Sequence, residues 1–383
     1  MPSICIIHEA ISKDSAISKV ALAHVRAALS AGWNVSVVAK YLDPSLHDSV
    51  EWLRLTVPPR SFLLKWTTAR HFIRQAIGNR QFDVIQAHQP QVADLSDVFS
   101  CHFLTRVAYE RKCLETRSGL RPKLIRLQQQ GVLYAEDRCY RRLNPQTHIL
   151  FCSDLIRDEF ARLYGLPPSQ EVLILHAPPH HDLSDETRRA ARAKLVGDFP
   201  GLVIGYLGGL HERKGYKRLI PAVAADPGLF LLMAGANCQG FSLPELGGRI
   251  RGLGLVDDVS TLYAACDCIA VPSLFEPLGL VALEAAAHGV PVIATEEVGV
   301  LPALLQFAAG AKWCPSEPLG NVARALLTDL PAVRNNARRM VDELSEQQHG
   351  HRMLEVWERV LHRRSYAAHG ATPAAPSSKV GST

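Results

Sequence analysis

The chain has 383 residues, 47% hydrophobic and 21% charged, with 42 Lys and Arg against 37 Asp and Glu for a net charge of +5. That length predicts two or three domains with ample cores, and no apolar run approaches the roughly 18–20 residues that cross a bilayer. The short run "ICII" is too brief for a secretory signal, and nine scattered cysteines with no CxxC pair point to reduced, buried thiols in the cytoplasm rather than a disulfide framework.

In chain order, short β-branched runs alternate with helical segments, the pattern of parallel sheets covered by helices. Strands are expected at 3–8, 33–40, 52–58, 82–88, 97–102 and 148–153, with helices over 18–32 and from Ser61 to Ile77, stopped by Gly32 and Gly78. The stretch 171–186 ends a strand in a Pro- and His-rich loop, the most linker-like place in the middle of the chain. After a helical "TRRAARAKLV", a second series of strands begins at 202–209 and continues at 229–236, 268–273, 291–295 and 311–315. On a strand, Cys266 and Cys268 would share a face but lie too far apart for a disulfide without distortion. The segment Ala332–Arg364 reads as helical and able to pack back across the joint, and the residues from Ser365 onward lack an apolar face. The domains expected are therefore 1–185, 186–364 and a disordered tail, 365–383. Doubly wound sheets bind ligands outside the carboxyl ends of their strands, so functional motifs belong just after strands.

Two stretches meet that condition. In "FEPLGLVALEAAAHGVPV", Glu276 lies in the loop between a strand and a helix, and Glu284 lies eight residues on in a run otherwise almost wholly apolar or small. Unpartnered burial of a carboxylate is costly, so both acids need something to face. The N–H groups of Leu278, Gly279 and Leu280 are free donors of a helix start and favour an anion. The plainer reading has Glu276 capping the helix and Glu284 exposed. In "YLGGLHERKGYKRLI", Gly208 and Gly209 leave room beside the backbone, and Arg213 and Lys214 precede a helix opened at Gly215. Two cations there suit a diphosphate; the alternative is a solvated surface loop.

Together, "GGLHERKG" and the E-x7-E of "EPLGLVALE" resemble the GT-B retaining glycosyltransferases of family 4, the glycosyl transferases group 1. The likeness is strong over about 202–330 and fainter before it. It implies two doubly wound Rossmann-like domains facing each other across a cleft, an N-terminal one for the acceptor and a C-terminal one for a nucleotide sugar. By the same likeness Glu276 would hold hydroxyls of the transferred sugar and Glu284 the ribose. Arg213 and Lys214 would hold the diphosphate with the N–H groups at 278–280, and the backbone at Gly254 and Leu255 would line the base. The glutamates would then be met by sugar hydroxyls. His102, and secondarily His88, would stand on the N-terminal side of the cleft.

The reaction implied is hexosyl transfer from a UDP- or GDP-sugar, with retention and without metal or other cofactor, to a glycan or lipid-linked acceptor in surface polysaccharide or lipopolysaccharide synthesis. A noncatalytic nucleotide-sugar scaffold or sensor, or a sugar-nucleotide epimerase of the same fold, are the alternative readings. The family's arginine before the leucine is Gly209 here, its glycine pair after strand one is replaced by Asp14, Ser15 and Ala16, and the pair after "PVIA" is reduced to Gly299-Val300.

The stretch 106–142 carries ten cations, among them Arg106, Arg111, Arg138 and Arg141, interleaved with leucines such as Leu127. It reads equally as an anionic-membrane surface, making the protein peripheral, or as a solvated helix face. Sparse aromatics argue against nucleic acid. The His176, His180, His181, Asp182 group has no metal-site spacing and reads as linker.

Overall fold

β-Branched and apolar runs bounded by Gly, Pro and Ser produce two parallel sheets, each too apolar to leave a face uncovered. The computed structural model describes residues 1–56, 62–111, 122–173, 177–181 and 183–368, with side chains left undescribed at 62–65, 122–126 and 365–368. The first half contains β1 (Ser3–Ile7), β2 (Ala10–Ile11), β3 (Asn34–Ala39), β4 (Tyr41–Leu42), β5 (Glu51–Arg54), β6 (Val84–Ala87), β7 (Val98–Cys101), β8 (His148–Phe151) and β9 (Gln170–Val172). Its helices are α1 (Ala16–Ser30), α2 (Phe62–Ile77), α3 (Thr105–Glu110), α4 (Pro122–Tyr140) and α5 (Asp154–Tyr164). The second half contains β10 (Leu202–Leu207), β11 (Leu229–Ala234), β12 (Ile250–Gly252), β13 (Cys268–Val271), β14 (Val292–Ala294) and β15 (Gly310–Lys312). Around them lie α6 (Asp185–Leu195), α7 (Tyr216–Ala225), α8 (Val259–Ala265), α9 (Leu280–Ala287), α10 (Leu301–Gln306), α11 (Leu319–Leu326), α12 (Leu330–Glu343) and α13 (Glu346–Ala368).

The strand orders are β5-β3-β1-β6-β7-β8-β9 and β12-β11-β10-β13-β14-β15. Both reverse direction at their first strand, so each sheet has a switch-point crevice: between β1 and β6 in one, between β10 and β13 in the other. His8 and His88 follow β1 and β6; the 208–215 and 272–279 loops follow β10 and β13. The residues of interest therefore gather where the winding itself opens a crevice.

Several expected boundaries shift. The helical stretch 332–364 is broken at Leu344–Ser345 into α12 and α13. α13 remains helical through Ala368, so the unstructured tail does not begin at Ser365; residues 369–383 lie outside the described set. Cys266 ends α8 and only Cys268 is in a strand; all eight described cysteines are free thiols. The loop after β1 holds a two-residue strand, β2, paired in parallel with β4, which alternation in the sequence does not reveal.

α13 returns to the N-terminal sheet and packs on α1, where Gly350 lies against Ala27. Trp357, fully buried, stacks obliquely on Trp33 at 5.6 Å and donates its indole N–H to Gln86 Oε1 at 2.6 Å. Gln86 Nε2 in turn reaches His24 Nδ1 at 2.8 Å and Ser100 Oγ at 3.1 Å. His24 Nδ1 is thus an acceptor, which puts its proton on Nε2, 2.9 Å from His349 Nε2 on α13. Trp357→Ala is expected to cost about 3–5 kcal/mol of unfolding free energy, and Trp357→Phe about 1–3 kcal/mol because it strands the buried Gln86 oxygen. Urea unfolding of the two variants measures both.

Candidate active site

The loop after β10 turns sharply. Gly209 has φ +69°, and a Cβ there would lie 2.7 Å from Ala236 O, so only glycine fits. Residues Glu212–Lys214 form one 3-10 turn, and Gly215, at φ +71°, then caps α7. A Cβ on Gly215 would sit 1.9 Å from Pro272 O, so the loop lies directly against the one that follows β13. The two are also bonded: Leu274 N–H donates to Arg213 O at 2.8 Å, and Arg218 Nη1 holds Pro272 O and Ser273 O at 3.2 and 3.1 Å.

This contact places the charged groups. Lys214 Nζ lies 2.6 Å and Arg213 Nη1 3.0 Å from the same Glu276 oxygen, Oε2, while Arg213 Nη1 also donates to Phe275 O at 2.9 Å. The Glu276 side chain is 13% exposed. The sequence assigns these cations to an anionic ligand and the glutamates to sugar hydroxyls. In the structure the chain's own side chains meet both acids: the two cations at Glu276, and Tyr263 O–H at 3.2 Å from Glu284 Oε2. The side-chain hydrogen bonds of Arg213 among the described residues all run through Nη1, with none from Nε or Nη2. Glu276 does not cap a helix; Gly279, with φ +102°, occupies the N-cap of α9.

The N–H groups of Leu278, Gly279 and Leu280 have no acceptor among the described residues, so the donors expected there are present. Lys214, Tyr206, Pro272, Ser273, Glu276, Gly279 and Val281 line one cavity, and the buried Ser273 hydroxyl has no partner among the described residues. Ser273 carries no sequence signal beyond its place at a strand end. Gly208 packs against the stem of Lys214. Gly254, at φ +79°, accepts from Gly235 N–H at 2.7 Å, and Leu255 beside it is 82% exposed, a large apolar side chain available to a flat ligand. A separate cavity of about 730 Å³ lies at the hinge, between α1, the 177–180 linker and the α12–α13 junction, and includes none of these groups.

In the N-terminal domain, His88 Nδ1 and His102 Nε2 are 2.9 Å apart with rings stacked at 5.2 Å, and His8 lies 5.8 Å from His88. His88 Nε2, His102 Nδ1 and His8 Nδ1 are buried with no hydrogen-bond partner among the described residues. His8 is a site neighbour that the sequence reading passes over, although it ends β1 as His88 ends β6. Burial lowers proton affinity at all three: His8 falls to about 4, His102 to about 3, and His88 well below the ordinary value, helped by the neighbouring imidazoles. Of the linker group, His176 and Asp182 lie outside the described residues; His180 bonds Asp342 at 2.9 Å, and His181 stacks on His288. Among the described residues no three His, Cys, Asp or Glu side chains are arranged to hold a metal ion.

The basic stretch is more self-contained than its composition suggests. Arg106 pairs with Asp137, and Arg111 with Glu159 at 2.5 Å. Glu136, buried, accepts from the N–H groups of Thr105 and Arg106 that open α3. Residues 112–121, with Leu114, Arg117 and Leu120, lie outside the described set.

Two doubly wound domains in tandem, each with its switch-point loops bearing the residues described, define the GT-B fold. The fold is shared with WaaG, a lipopolysaccharide glycosyltransferase (TM-score 0.67, 19% identity, 90% of this chain and 98% of that one). It is shared also with Anabaena HepE in complex with UDP-glucose (TM-score 0.65, 18% identity, 95% and 100%). Residues 201–329 match the glycosyl transferases group 1 and residues 17–176 match glycosyltransferase family 4, and the chain belongs to that family. Among curated relatives, the D-inositol 3-phosphate glycosyltransferase of Actinosynnema mirum is 36% identical over 174 residues, 39% of this chain and 41% of that protein. The lipopolysaccharide core biosynthesis glycosyltransferase LpsE of Rhizobium meliloti is 39% identical over 114 residues, 28% and 34%. The matches thus span less than half the length of these relatives.

The histidines generate a pH dependence of stability. Each binds protons more weakly folded than unfolded, where the value is about 6.5, so the unfolded chain holds more protons as pH falls. Stability is expected to be full above about pH 6.5 and to drop toward pH 4 by roughly 1.4 kcal/mol per pH unit for each histidine. Urea unfolding at stepped pH measures the slope, which His8→Asn should make shallower.

Proposed function

We propose that the protein transfers a hexosyl group from a nucleoside-diphosphate sugar, UDP- or GDP-linked, to a glycan or lipid-linked acceptor with retention of configuration, in surface polysaccharide or lipopolysaccharide synthesis. The observation that carries this reading is the convergence on Glu276 of Arg213 and Lys214, beside N–H groups at 278–280 that have no acceptor among the described residues. As the anomeric C–O bond breaks, negative charge grows on the diphosphate. Arg213, Lys214 and the α9 N-terminus stand ready to receive it, and one donor of this kind contributes about 3–4 kcal/mol in the transition state. Glu276 would bind hydroxyls of the transferred sugar, exchanging part of its contact with the cations for them, and Glu284 with Tyr263 would take the ribose. Leu255 would cover the base.

Retention follows if the acceptor attacks from the face the diphosphate leaves, with a leaving-group oxygen taking the acceptor's proton. Cations and backbone dipoles supply the charge compensation in this scheme, so it calls for no metal. His102 would face the donor from the N-terminal side as a neutral hydrogen-bonding group, in keeping with its depressed proton affinity.

The acceptor reading rests on α4. Leu127 and Tyr134, seven residues apart and so on one helix face, are 69% and 67% exposed, beside a basic stretch. Apolar anchors with flanking cations suit an anionic lipid surface. No helix among the described residues is long and apolar enough to cross a membrane; the association proposed is peripheral, on the cytoplasmic face.

A thermal-shift screen against UDP-, GDP-, ADP- and dTDP-sugars tests the donor. At about 100 times its dissociation constant the correct donor should add roughly 2.7 kcal/mol of stability. The shift should shrink in Lys214→Ala and Glu284→Ala. Absence of any shift in folded protein would sink the donor assignment. Turnover of the donor so found should fall by about 10²–10³-fold in Lys214→Ala; binding without turnover in the wild type would favour a sensor.

A further inference from the structure

The tetrapeptide Leu274–Pro277, which carries Glu276, has all four of its carbonyls taken. Phe275 O accepts from Arg213 Nη1 at 2.9 Å and Glu276 O from Gly299 N–H at 2.9 Å, both within the C-terminal domain. The two outer carbonyls are taken by the other domain. Arg111 Nη1, at the end of α3, reaches Leu274 O at 3.4 Å, and Ser153 Oγ, at the start of α5, donates to Pro277 O at 2.5 Å. Arg111 also lies over the Phe275 ring at 5.3 Å, and Phe103 packs on that ring at 5.6 Å.

Each side of this clasp is built for it. Ser153 is fully buried, and its hydroxyl accepts from Ile156 N–H at 3.3 Å as the N-cap of α5, which leaves its own proton for Pro277 O. Glu159 holds the far nitrogen of Arg111 at 2.5 Å, orienting the guanidinium toward the loop. Opposite them, a Cβ on Gly299 would lie 1.9 Å from Pro277 O and 2.6 Å from Ser153 Oγ. Gly299 is what remains of the glycine pair expected after β14, and the position retained is the one the clasp needs.

We propose that Ser153 and Arg111 are positioning residues: by gripping both ends of Leu274–Pro277 they make the placement of Glu276 depend on docking of the N-terminal domain. The donor's nucleotide would bind the C-terminal domain alone, while the backbone that carries Glu276, already tied to Arg213 and Gly299 within that domain, takes its final position when the domains meet. This rests on the donor site proposed above, and the test separates the two.

Wild type, Ser153→Ala, Ser153→Thr and Arg111→Gln are compared in three measurements: calorimetric binding of UDP, GDP, ADP and dTDP; release of nucleoside diphosphate from the corresponding sugars; and hydrogen exchange of peptides covering 274–280 and 297–301. Dissociation constants for the free diphosphate should stay within twofold. Turnover should fall about tenfold in Ser153→Ala and Arg111→Gln and recover in Ser153→Thr, which keeps the hydroxyl. Exchange at Glu276, Gly299 and Val300 should quicken in the two slow variants. Turnover within twofold of wild type in Ser153→Ala, or a loss in Ser153→Thr equal to that in Ser153→Ala, overturns the proposal and leaves Ser153 a helix cap. If wild type binds no diphosphate, the donor reading fails instead, and exchange alone decides: faster exchange upholds the clasp, unchanged exchange in both variants removes it.

Discussion

A carboxylate buried among apolar side chains needs partners, and the arrangement of this protein's cleft follows from how Glu276 finds them. Arg213 and Lys214 meet one of its oxygens because Gly215 lets the loop after β10 lie on the backbone after β13. Were any side chain present at 215, the loops would separate and the acid would lose both cations. A lost charged partner in such a site costs several kcal/mol, far more than a surface ion pair contributes. Three parts of the chain, 208–215, 272–280 and 297–300, are therefore one unit held by backbone hydrogen bonds.

The two domains contribute differently to that unit. The C-terminal sheet supplies cations, free N–H groups and both glutamates. The N-terminal sheet supplies neutral histidines and a grip on the loop that bears Glu276. α13 links the two by returning to the first sheet, where Trp357, Gln86, His24 and His349 form a buried polar chain beneath His88 and His102. Each member of that chain is hydrogen-bonded to the next, which makes the return of α13 specific as well as apolar.

Glu276, Glu284, Arg213, Lys214 and the glycines at 208, 209, 215 and 279 were all legible in the chain, because strand-end loops with glycine and charge have a local signature. The alternation of strands and helices likewise points to two doubly wound domains. Boundaries moved by a residue or two, and α12 and α13 read as one helix because nothing in their periodicity marks the break at Leu344–Ser345. The side-chain partners that the glutamates have within the chain were not legible for a plainer reason: Lys214 and Glu276 are sixty-two residues apart, and no local pattern reveals that pairing.

What the amino-acid order determined by itself was local: the winding, the two loops, their glycines and the types of charge they carry. Tertiary structure decided which charges meet, that Ser153 and Arg111 reach across to Leu274–Pro277, that five histidines share one buried neighbourhood, and that Arg106 and Arg111 face acids rather than solvent. The division has a physical cause. Backbone geometry and helix caps depend on residues a few positions apart, whereas ion pairs, desolvation and hydrogen-bond satisfaction depend on whatever the folded chain brings within a few ångströms.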